Sequence, residues 1–159
     1  MNENSLPAME NLVPHRDPMR LVDLVLEAGE NHLRASSSVK ETWPLCTIRG
    51  ADAILAIELI AQSVAAHHHW KKGRKTEPQV GLLVGVKEAR FYSQLLPLGA
   101  ELTVDVKTVA VIGNYGIFNG EVRLGNAVLC EAIVQVMEPR EEMLGELIGR
   151  RGAKARANG

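Results

Sequence analysis

Gly50–Gly73 reads GADAILAIELIAQSVAAHHHWKKG, and its apolar residues are not confined to one side of a helical wheel. Between Ala53 and Ala66 Glu58 is the sole charged residue. A helix that is apolar all round is one wrapped by other elements. A carboxylate in the middle of it costs several kcal/mol unless it has a partner, a neutralising proton or a function. Asp52 near the start suits the helix dipole. Lys71, Lys72 and Gly73 supply a cationic last turn and a glycine stop. The spacing therefore predicts one long helix over Gly50–Gly73.

Downstream the period changes from helical to alternating. Val80–Glu88 is apolar and punctuated by glycine. Glu101–Ile112 alternates cleanly, with Leu102, Val104, Val106 and Thr108 on one side. Gly113–Gly116 is a turn and Ile117–Leu124 a strand. Gly125-Asn126 is a tight hairpin turn leading into a last strand, Ala127–Met137. Residues 89–100, with Pro97 and Gly99, follow neither period. Upstream, Met9–Leu12 reads as one helical turn. Pro14 and Pro18 enforce extended backbone. Met19–Leu26 is apolar enough for a strand, Glu27–Asn31 is a turn, and His32–Val39 alternates as the antiparallel return. Lys40–Arg49, KETWPLCTIR, is a loop that leads into the helix. The order strand, strand, helix, about four strands gives an α+β fold with an antiparallel sheet wrapped on a single helix. The expected divisions are an arm at 1–11, a domain at 12–140 and a polar tail at 141–159.

Composition narrows the function. The 159 residues carry a formal net charge of −1, which gives no global electrostatic case for nucleic acid. No apolar run reaches the length of a membrane span, and Met1–Leu12 lacks the pattern of a signal peptide, so a cytoplasmic location is expected. Cys46 and Cys130 make no disulfide framework and are read as reduced thiols.

Two motifs carry a resemblance. Leu12–Asp23, LVPHRDPMRLVD, is similar to the PHR-x-P-x-x-LVD opening of the hot-dog-fold 3-hydroxyacyl-ACP dehydratases. Ile57–Gln62, IELIAQ, resembles their central-helix motif, in which a glutamate precedes an Ala-Gln pair. The resemblance spans about Leu12 to Met137 and implies a hot-dog fold, with the sheet wrapped around the central helix. It implies an active site at a dimer interface, where a histidine from the loop before the helix meets the helix glutamate of the other subunit. Backbone N–H groups near the helix start would anchor a thioester, and the acyl chain would enter a tunnel beside the helix. The chemistry would be loss of water from a 3-hydroxyacyl thioester, which needs two titratable groups. The histidine of the family's His-Phe-Pro-Gly loop should fall near Thr42–Cys46, where this chain reads Thr-Trp-Pro-Leu-Cys.

Glu58 is thus the expected catalytic carboxylate, set against a buried carboxylate merely tied to Gln62. Gln62 is expected to orient a partner. The Pro-Gly that the resemblance implies before the helix is absent, and Gly50 stands close by. Cys46 is the one nucleophile-type side chain in the histidine-less loop, as a thioesterase nucleophile or as a small apolar filler. Arg49 is either a contact for a phosphopantetheine phosphate or a solvated charge. His15 is read as packing ahead of the first strand, and Arg16 and Asp23 as an ion pair or turn contacts. Consecutive helical residues point about 100° apart, so His67, His68 and His69 cannot chelate one metal and are read as a wet helix end. His68 lies roughly 15 Å along the axis from Glu58, too far for a dyad. Gly149-Arg150-Arg151-Gly152 is read as a solvated basic tail.

Three functions follow: a dehydratase with a replacement for the histidine, one half of a heterodimer that donates Glu58 to a partner's histidine, or a thioester-binding protein or thioesterase. The expected partners are acyl carrier protein or CoA thioesters and a second hot-dog subunit, in a homodimer or heterodimer. No cofactor or metal is expected.

Overall fold

The structure, a computed structural model, describes residues 6–73, 81–140, 142–143 and 145–146. A 3-10 turn at Met9–Asn11 precedes the hairpin β1 (Leu24–Gly29) and β2 (His32–Ser38). Two short strands, β3 (Cys46–Thr47) and β4 (Gly50–Asp52), lead into α1 (Leu55–Lys72). Then come β5 (Leu82–Phe91), β6 (Leu95–Pro97), β7 (Glu101–Ile112), β8 (Tyr115–Leu124) and β9 (Ala127–Met137). The main sheet has six strands in the order β1-β2-β7-β8-β9-β5, and β3-β4-β6 form a second, three-stranded sheet. Every pairing is antiparallel.

Alternation on β7, β8 and β9 aims Leu102, Val104, Val106, Phe118, Val122, Cys130 and Val134 at the helix, and all are buried. The helix answers with Leu55, Ala56, Leu59, Ile60 and Val64, packed against β2, β7, β8 and β9. Gly120 permits the close approach: a Cβ there would stand 2.3 Å from Ile60 Cγ2. No helix among the described residues is long and apolar enough to cross a membrane.

The helix is shorter than the sequence suggests. Gly50–Asp52 is strand, because Gly50, at φ +145°, lies so close to β6 that a Cβ would be 2.2 Å from Leu96 O. Asp52 accepts the Ile54 N–H at 2.9 Å, ahead of the helix rather than within its first turn. The expected strand over Met19–Leu26 begins only at Leu24. The N–H groups of Leu21 and Val22 are taken by the Gln62 side chain instead of a ladder. Cys46 and Thr47, expected in a loop, pair with Ala51 and Gly50. The polar connection at 74–79 and the basic tail with Gly149–Gly152 lie outside the described residues.

The helix is also not covered on every side. Ile54, Glu58, Ala61, Ala65, His68 and Lys72, spaced four, three, four, three and four apart, form a stripe that stays partly or fully exposed. Beside it, β5 is open on both faces. Leu83, Val86, Ala89 and Phe91 pair with Val136, Val134, Ala132 and Cys130 and so point to the helix side. Yet Leu83 is 40%, Val86 43% and Phe91 42% exposed. Among the described residues, the apolar residues on the helix-facing side of this edge strand have no covering layer.

Candidate active site

The centre of the site is the amide of Gln62, which is fully buried. Its Oε1 accepts the backbone N–H of Leu21 at 2.9 Å and of Val22 at 3.4 Å. Its Nε2 donates to Met19 O at 2.7 Å and to Glu58 Oε1 at 2.9 Å. Two backbone donors on one end fix which end is oxygen, so the opposite end must donate. Gln62 therefore ties the segment Met19–Val22 to the helix and holds Glu58 one turn before it. The Leu21 carbonyl is capped in turn by Ser37 Oγ.

Glu58 is 31% exposed, on the uncovered stripe. Its Oε1 also faces His15 Nε2 at 3.4 Å, within ion-pair reach. Among the described residues no hydrogen bond or ion pair engages Oε2. Both contacts thus gather on one oxygen of the carboxylate.

His15 was not among the expected site residues. Its ring, 32% exposed, meets the helix carboxylate rather than packing ahead of the strand. Sequence spacing hides this, because His15 and Glu58 lie 43 positions apart and long-range contacts, Gln62 to Met19, Leu21 and Val22 and Ser37 to Leu21, set the segment's course over the helix. The segment is stiffened locally by Arg16, whose Nη1 donates to Val13 O at 3.0 Å and His15 O at 2.9 Å. Arg16 and Asp23 are not paired with each other: Asp23 accepts Lys40 Nζ and the Ser38 N–H, both at 2.8 Å.

Cys46, Arg49 and Gly50 sit on the β3–β4 hairpin, and among the described residues no hydrogen bond or ion pair joins any of them to Glu58. Cys46 Sγ points back to Thr47 O at 3.5 Å. Arg49 is exposed near the hairpin tip. Gly50 serves the approach to Leu96. The amides of Ala53, Ile54, Ala56 and Ile57 donate to Gln94 O, Asp52 Oδ1, Ala53 O and Ile54 O, so most amides at the helix start are committed within the chain. Cys130 is buried, and burial, aided by Glu131, pushes its thiol up to about 11.

The histidine run is not a wet helix end. His67 and His69 are buried, and only His68 is exposed. His67 Nε2 lies 2.8 Å from Gly29 O. A carbonyl can only accept, so Nε2 carries the hydrogen. Burial holds both His67 and His69 below the ordinary imidazole value. His68 Nε2 and Lys72 Nζ meet Glu138 at 2.8 and 2.5 Å. Although burial opposes it, their hydrogen bonds hold Glu138 below the usual carboxylate range. This cluster closes the far end of the stripe, beside a cavity of about 70 Å³ lined by Val64, Ala65, Phe118 and Val136. A wider hollow, about 1000 Å³, lies on the sheet's polar outer face among Arg34, Asp105, Glu121 and Glu131, on the side away from Glu58.

Comparison with known proteins agrees with this architecture. The family model described as "ApeP-like: ApeP dehydratase" matches residues 7–148. The 3-hydroxyacyl-[acyl-carrier-protein] dehydratase FabZ of Paracidovorax citrulli is 33% identical over 129 residues, covering 76% of this chain and 87% of the relative. The FabZ of Xanthomonas campestris pv. campestris is 27% identical over 140 residues, covering 84% and 91%. Among solved structures, the dehydratase heterocomplex ApeI:P from Xenorhabdus doucetiae superposes with a TM-score of 0.79 at 23% identity, covering 91% of this chain and 99% of that one. A hypothetical thioesterase with coenzyme A from Streptococcus pneumoniae gives 0.57 at 12% identity, covering 73% and 84%. The expected α+β hot-dog fold is the one observed, and the chain belongs to the ApeP-like dehydratase family, within the hot-dog 3-hydroxyacyl-ACP dehydratases.

Proposed function

We propose that the protein works in the cytoplasm on 3-hydroxyacyl thioesters carried by acyl carrier protein, and that Glu58 is the catalytic carboxylate. The observation that carries this is the state of Glu58: partly exposed, held through Oε1, with Oε2 unengaged among the described residues. In the dehydration the C2–H bond breaks towards a base. Its electron pair becomes the C2=C3 double bond, the C3–O bond breaks, and the hydroxyl takes a proton and leaves as water. A carboxylate with one oxygen fixed and one open suits either proton transfer. The acyl chain lies over Ala61 and Ala65, whose small side chains leave room on the stripe, and ends at the cavity beside Val64 and Phe118. Gln62 positions Glu58. Arg49, exposed on the hairpin that leads to the helix, meets the carrier's phosphate, and Cys46 and Gly50 border the thioester.

The test is Glu58→Gln, which keeps the shape and the Gln62 contact but cannot carry the proton. Turnover of a 3-hydroxyacyl thioester to the enoyl product is expected to fall at least about 100-fold. Undiminished turnover removes the assignment.

A second reading concerns assembly. Thr42–Cys46 contains no histidine, and among the described residues β5 leaves its edge and its helix-side apolar residues uncovered. Both features suit a site completed by a second hot-dog subunit joined along β5, in a homodimer or, as in the ApeI:P heterocomplex, with a different subunit. If the purified chain is inactive alone and gains activity only with such a partner, the heterodimer holds. Full activity alone selects the homodimer.

A further inference from the structure

We propose that His15 is a positioning residue for Glu58: its Nε2 faces Oε1 alongside the Gln62 amide and so reserves Oε2 for the substrate. This rests on the reading of Glu58 given above.

The two ring nitrogens of His15 have unlike surroundings. Nε2 faces Glu58 Oε1 at 3.4 Å. Nδ1 is buried and has no hydrogen-bond partner among the described residues. A ring proton belongs where an acceptor stands, and that is Nε2. Nδ1 is closed off and Nε2 is turned to the carboxylate, so the ring's contact with the site runs through Glu58. The present separation is long, as catalytic contacts often are without a substrate, and it tightens on loading.

The backbone around His15 presents the ring rather than letting it wander. Arg16 grips Val13 O and His15 O, Val13 is fully buried, and Gln62 anchors Met19, Leu21 and Val22 on the other side. The other charges nearby are spoken for. Arg16 is turned to its own backbone, and Arg20 lies 3.6 Å from Glu10 and 3.9 Å from Asp17. Glu58 is the one carboxylate in ion-pair reach of His15 among the described residues. With Gln62 and His15 both on Oε1, rotation of the carboxylate about its last bond is restricted. A misplaced reacting group by about 1 Å can cost on the order of 100-fold in rate.

His15→Ala and His15→Gln separate this role from alternatives. Gln carries a neutral N–H donor to about the place of Nε2. Measured with the assembled protein on a 3-hydroxyacyl thioester, His15→Ala is expected to lower kcat roughly 10- to 100-fold with KM little changed. His15→Gln is expected to recover most of that loss. In wild-type protein, 15N NMR of the imidazole is expected to show a proton on Nε2. An unchanged kcat in His15→Ala overturns the proposal, and so does a His15→Gln variant as impaired as His15→Ala. If His15→Ala fails to fold, judged by its thermal melt, the NMR spectrum decides, and a ring protonated on Nδ1 alone overturns the proposal. The two readings fail separately. Full turnover in Glu58→Gln sinks the role of Glu58, whereas an inactive Glu58→Gln beside an unimpaired His15→Ala sinks that of His15 alone.

Discussion

Gln62 has no hydrogen-bonding capacity to spare. Its amide serves Met19 O, Leu21 N, Val22 N and Glu58 Oε1 at once. Gln62→Leu keeps the volume but leaves three backbone groups and one carboxylate oxygen without this partner. At about 1–3 kcal/mol for each well-made buried bond lost, the loss of stability is expected to be roughly 3 kcal/mol or more. A urea titration measures it, and an unchanged midpoint would show that the segment is held by other means. His67 and His69 give a second residue-level expectation. Burial holds both imidazoles below their ordinary value of 6.5. Above that pH both the folded and unfolded chains are neutral at these positions. Below it the unfolded chain takes up protons that the folded chain refuses, so stability falls as pH falls. Thermal melts from about pH 8 to about pH 5 should show this decline, and His67→Gln, which can still donate to Gly29 O, should flatten it.

At the scale of elements, the helix and the strand before it divide the work. Gly50 lets β4 lie against β6, and the helix starts only beyond them. Gly50→Ala sets a Cβ against the Leu96 carbonyl, which is backbone and cannot move aside, at a φ that side chains avoid. A cost of about 3 kcal/mol or more is expected by denaturant unfolding. A loss below about 1 kcal/mol would mean that β4 shifts freely. The uncovered stripe explains the apolar helix better than complete wrapping does: its fourth side, with Ala61 and Ala65, is kept for something other than this chain's own sheet. If that is the acyl chain, Ala65→Leu shortens the path to the cavity. Long-chain thioesters should then lose at least about 10-fold in kcat/KM while short-chain ones keep most of theirs. Equal losses for both would place the chain elsewhere.

For the whole molecule, the sheet ends on one side in a strand that nothing among the described residues covers. An exposed apolar edge strand is a template for pairing. Val86→Lys places a charge on the helix-side face of β5, where Val86 is already 43% exposed. The fold should survive within about 0.5 kcal/mol. The mass in solution, measured by light scattering, should fall towards that of a single chain. An assembly that ignores the substitution would move the interface away from β5.

The sequence by itself determined the helix at the centre, its strand-rich envelope and the place of Glu58. These rest on local quantities: a helical run whose one charge between Ala53 and Ala66 is Glu58, alternation along Glu101–Ile112 and Ala127–Met137, and a turn at Gly125-Asn126. It also determined that Thr42–Cys46 carries no histidine. Tertiary structure alone decided where the helix begins, because the approach of Gly50 to Leu96 joins distant positions. It decided that His67 and His69 are buried and that one stripe of the helix is bare, since both depend on where the sheet stops. Above all it decided the surroundings of Glu58. The contact with His15 depends on long-range contacts, the buried Gln62 amide and Ser37 among them, that hold Met19–Val22 across the helix and that no period or spacing in the chain encodes.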